Sequence, residues 1–77
     1  MVSDAKWQDR ARGLLRAQLS LRNMGYKELV EKLAETGIKE TPQSIANKMS
    51  RAGFNAAWFL RCLHAIGCDH LDLKWPD

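Results

Sequence analysis

Seventy-seven residues allow one small domain, because a chain this short buries only about 60% of its extended-chain surface and needs every apolar residue for a single core. With 45% hydrophobic and 27% charged residues the composition is that of a folded globular chain, not a disordered one. Twelve Lys plus Arg against nine Asp plus Glu leave +3, too small a bias to establish an anionic partner by itself. No window reaches the roughly 18 consecutive apolar residues of a membrane span, and the opening MVSDAKWQDR lacks the apolar core of a secretory signal, so the expected setting is the cytoplasm.

The pattern predicts four helices over about 4–23, 26–36, 42–52 and 55–66, and an extended tail over 70–75. In the first, Trp7, Ala11, Leu14, Leu15 and Leu19 form a broad stripe, with Arg10, Arg12, Arg16 and Arg22 elsewhere on the surface. Gly13 costs up to about 1 kcal/mol relative to Ala, so the helix is expected to start late or bend there. After the break at Asn23-Met24-Gly25, Tyr26, Leu29, Val30, Leu33 and Ala34 repeat at helical spacing. Gly25 is placed to N-cap this helix, Glu28 to meet its positive end, and Gly37 to close it in the left-handed conformation.

Thr41-Pro42 is a start signal, Thr41 capping and Pro42 taking the first helical position, where its missing N–H costs nothing. The stripe of this third helix is thin: Ile45, Ala46 and Met49. Gln43, Ser44, Asn47, Lys48 and Arg51 project from it elsewhere. Asn55 caps the fourth helix, which is apolar almost all round and should form the central packing element, with Arg61 and His64 at its exposed edge and Gly67 at its end. Leu71, Leu73 and Trp75 then alternate with polar residues, as suits an extended tail.

A short amphipathic helix, a glycine turn and a second helix with a polar face make the outline of a helix-turn-helix, in which the second helix enters the major groove. The residue types fit that role. Asn and Gln pair with adenine edges, Ser with several edges, and Lys or Arg with guanine or phosphate. Gln43, Ser44, Asn47 and Lys48 are accordingly expected to face bases, and Thr41, Arg51, Lys27 and Arg22 to meet phosphates. Charge supports this: Thr41 to Cys68 holds no acid and three cations, Lys48, Arg51 and Arg61, whereas Asp69 to Asp77 holds three Asp and one Lys.

GYKELVEKLAETGI as brace and turn, TPQSIANKMSRAGF as recognition helix and exit, and NAAWFLRCLHAIG as the following core helix resemble the lambda-repressor-like (Cro and C1 type) helix-turn-helix family over about residues 14 to 73. The chain looks closer still to a family of small bacterial proteins of unknown function with the same arrangement. The resemblance implies an all-α domain of lambda-repressor-like architecture and DNA binding. Gly37 to Thr41 is longer than the usual family turn, and Val30 stands where Ala is usual.

Other chemistry finds little support. Cys62 and His64 stand about 200° apart on a helix and cannot converge on one ion, so no metal site is expected. Both Cys62 and Cys68 read as reduced packing residues, and no nucleophile-and-base arrangement or phosphate loop occurs, so neither an enzyme, a cofactor nor a small-molecule substrate is expected. Three tryptophans are many for so small a core. Trp7 can seal the first helix, and Trp75 can fold back as a lid; alternatively Trp58, Leu73 and Trp75 form the surface of a homodimer. The expected function is sequence-specific binding of double-stranded DNA by a dimeric bacterial transcriptional regulator. The rival is a protein-interaction module on the same fold.

Overall fold

The computed structural model describes residues 4–51 and 53–75. Ala52, the predicted end of the third helix, and Pro76 and Asp77 of the acidic tail lie outside the described residues. Four helices follow in order: α1 (Ala5–Leu21), α2 (Tyr26–Glu35), α3 (Pro42–Arg51) and α4 (Ala56–Ala65). Among the described residues there is no strand, so the domain is all-α. No helix in them is long and apolar enough to cross a membrane.

Three helix ends are built alike. At the end of α1 the N–H of Met24 bonds the carbonyl of Leu19, and that of Asn23 the carbonyl of Ser20. Ile38 and Gly37 do the same to Leu33 and Ala34 after α2, and Cys68 and Gly67 to Leu63 and His64 after α4. Each is a Schellman closure, which needs one left-handed residue and an apolar residue after it. Gly37 (φ 88°), Gly67 (φ 75°) and Asn23 (φ 55°) supply the first. Met24, Ile38 and Cys68 supply the second, each packed on the core.

The starts are also local. The Glu28 carboxylate accepts the Gly25 N–H at 2.7 Å, and Asn55 Oδ1 accepts the Trp58 N–H at 2.8 Å. At α3 the bond is reciprocal: Ser44 N–H to Thr41 Oγ1 at 3.0 Å and Thr41 N–H to Ser44 Oγ at 2.9 Å.

The core collects two residues from each of α1 to α3, Leu15 and Leu19, Leu29 and Leu33, Ile45 and Met49, against Trp58, Cys62, Leu63 and Ile66. Helix α4 packs on both α1 and α2, and α2 carries α3. It is central, as its composition predicts, yet Leu60 stays 61% exposed. Helix α1 does not start late at Gly13 but runs unbroken from Ala5 to Leu21, tertiary contacts outweighing the glycine's propensity. Arg12, just before Gly13, donates to the carbonyls of Met49 and Ser50 at the end of α3, and Arg10 to the carbonyl of Lys74 in the tail.

The tail lies back along α1. Leu71 packs on the core, and Trp75 meets Trp7 edge to face with ring centroids 6.1 Å apart.

Candidate functional site

Helix α3 is held by Ile45 and Met49, both essentially without exposure, so the opposite side must face outward. Gln43, Asn47, Ser50 and Arg51 are exposed there, spaced as neighbours on one helical face. Gln43 Nε2 donates to Asn47 Oδ1 at 3.1 Å, which aligns the two amides side by side. Thr41 is exposed at the start of the same helix, and Lys27 is exposed on α2.

Four sequence-based assignments change. Ser44 does not present a free hydroxyl: it closes the N-terminal capping bond with Thr41 and bonds the Glu40 carboxylate. Lys48 points to the same carboxylate, Nζ to Oε2 2.5 Å, and sits 5.1 Å from the centre of the Trp58 ring. The outward stripe is therefore Gln43, Asn47 and Ser50 with Arg51, one step round the helix from Ser44 and Lys48. Arg22, expected at phosphate, instead donates to the Ile66 carbonyl at 2.9 Å and to Gln18 Oε1 at 2.7 Å. Its cation thus lies at the negative end of α4, where it is stabilising. Trp58, expected on a dimer surface, is 8% exposed. Its ring packs on Phe54 with centroids 5.1 Å apart.

Glu40 is the residue that sequence reasoning missed. It immediately precedes the acid-free stretch, and its side chain is only 6% exposed. Oε1 takes the Ser44 hydroxyl, and Oε2 takes both the Lys48 ammonium and the Trp58 indole N–H at 2.9 Å. Burial pushes its pKa up, but the bonds from Lys48, Ser44 and Trp58 and the charge of Lys48 outweigh this and hold it below the ordinary 4.5. The available signal was the spacing Glu40, Ser44, Lys48, which places an acid, a hydroxyl and a cation at i, i+4, i+8 across the start of α3.

Cys62 lies against this cluster in the core. Burial pushes its thiol up to about 12, the Glu40 charge adding to the effect and Lys48 opposing it. Cys68 is free, its Sγ 3.4 Å from Gln18 Oε1. Among the described residues no three His, Cys, Asp or Glu side chains stand together as a metal site.

A family described as a domain of unknown function (DUF6471) matches residues 7–71. The chain belongs to that family. The matched span takes in α2, α3, α4 and most of α1, together with Glu40 and the outward face of α3. Leu73 and Trp75 fall beyond it. The family description assigns no activity. No curated protein and no solved structure matches the chain significantly.

Proposed function

We propose that the protein binds double-stranded DNA sequence-specifically, with α2 and α3 as a helix-turn-helix of lambda-repressor-like type, and acts as a dimeric bacterial transcriptional regulator. The observation that carries this is the outward face of α3. It offers two amides and a guanidinium, Gln43, Asn47 and Arg51, and the helix itself carries no carboxylate. Glu40, just before it, is paired with Lys48, and the exposed Asp9 of α1 is paired with Arg12 where Arg12 meets the carbonyls at the end of α3. A duplex carries closely spaced phosphate charges, so each unpaired acid on a helix that enters a groove costs affinity. Amides at neighbouring positions suit the adenine edge, and Arg51 and Lys27 suit phosphates on either side.

One module of this size makes few contacts, and two related by a two-fold axis reach half-sites about one helical turn apart. The exposed Trp7, Leu73 and Trp75 offer the apolar surface for such pairing. The same surface also favours a second reading, a protein-interaction module.

Duplex affinity measured across a salt series tests the proposal. The dimer should lose affinity with a log-log slope of about −4, for four or five neutralised phosphates. Asn47→Ala should relax base preference with little change of slope. No duplex binding at low salt, or binding that ignores salt, contradicts the proposal.

A further inference from the structure

The residue that organises the outward face of α3 is not on that face. Glu40 joins three parts of the chain at one carboxylate: the segment after α2, two turns of α3 through Ser44 and Lys48, and α4 through the Trp58 indole. Lys48 is 41% exposed at its side chain, yet its ammonium is already held by a carboxylate and by an indole face. To reach a phosphate it would have to leave an enclosed carboxylate without its counter-charge, and an uncompensated buried charge is costly.

We infer that Glu40 is a positioning and specificity-determining residue of the DNA-binding face: it withdraws Lys48 from phosphate contact and pins α3 against α4. This rests on the duplex-binding reading above. Affinity then depends on the base-facing amides and on Arg51 and Lys27, and Lys48 adds nothing to the sequence-independent part. A phosphate contact strengthens binding to every sequence alike, so one fewer of them raises the share of affinity that reads bases.

The two roles for Lys48 predict opposite outcomes. Glu40→Gln keeps the shape of the side chain and one acceptor oxygen for the Trp58 indole, turning its amide N–H to the Ser44 hydroxyl oxygen, but removes the charge, which releases Lys48. If Glu40 withholds Lys48, this variant steepens the salt slope on a mixed-sequence duplex by about 0.9 per bound protomer. Lys48→Met keeps an apolar stem over Trp58, and its slope equals that of the wild type. If Lys48 instead contacts phosphate directly, Lys48→Met flattens the slope by about 0.9 and Glu40→Gln leaves it unchanged.

The double variant Glu40→Gln, Lys48→Met is neutral throughout and carries the test where Lys48→Met alone fails to fold. The measurement is duplex affinity over a salt series for the wild type and the three variants, with folding followed by circular dichroism. A steeper slope for Glu40→Gln together with a wild-type slope for the double variant supports the inference. A flattened slope for Lys48→Met or the double variant, or no steepening for a folded Glu40→Gln, overturns it and leaves duplex binding standing. A wild type that binds no duplex at low salt removes both.

Discussion

At Glu40 the competition between burial and hydrogen bonding is decided for the ionised form, and this gives a pH dependence with a definite sign. The folded-state pKa lies below the unfolded 4.5, so the stabilisation is fully present above about pH 4.5 and is lost as pH falls through the lowered folded value. Glu40→Gln should lower stability at neutral pH and lose less than the wild type on acidification, as read by denaturant unfolding from pH 7 to 3. Cys62 works in the opposite direction. Its thiol is raised from 9.0 to about 12, so the neutral form is favoured on folding and stability should fall as pH rises beyond 9.0. Cys62→Ala should flatten that alkaline decline relative to the wild type. A thiol reagent should modify Cys68 in the native protein and Cys62 only at the rate of unfolding, since Cys62 has no exposed surface.

These residue-level facts were the least legible. The carbonyls that Arg12 and Arg22 cap lie 37 and 44 residues away from them, and an arginine on a helix surface looks the same with or without such an acceptor. Trp58 could not be oriented because α4 is apolar nearly all round, which leaves helical periodicity no polar face to contrast.

The elements were far more readable, because their ends are written in local chemistry. Gly37 and Gly67 mark left-handed closures, Asn55 accepts the Trp58 N–H, and Thr41 with Ser44 closes the start of α3. Gly37→Ala places a Cβ in a left-handed conformation at a cost of roughly 1–2 kcal/mol, although the space around it is open. Thr41→Ala removes the oxygen that accepts the Ser44 N–H and should cost about 1 kcal/mol. Both are checked by thermal unfolding, where about 1 kcal/mol corresponds to roughly 4–8 °C in Tm for a domain of this size. Of the four residues expected to face bases, Gln43 and Asn47 lie on the outward face, while Ser44 and Lys48 are engaged by Glu40, an acid outside α3 whose partners the helical spacing did not reveal.

For the whole molecule, the single core draws on all four helices, so one deletion is felt throughout. Leu33→Ala removes a fully buried side chain between α2 and its neighbours and should cost about 2–5 kcal/mol in denaturant unfolding, a large part of the total stability of so small a domain. The tail's fold-back along α1 was one of the alternatives open to the alternating Leu71, Leu73 and Trp75, and it leaves Trp7 and Trp75 exposed at 46% and 63%. If they join two protomers, the chain should sediment as a dimer and a chain ending at Asp69 as a monomer. Two identical monomers would exclude the tail from assembly. Selection of bound duplexes from a random pool at moderate salt shows whether the outward face of α3 reads a duplex. An enriched palindrome whose half-sites lie about one helical turn apart is the expected result. A pool that stays unenriched, with Asn47→Ala indistinguishable from the wild type, would contradict it.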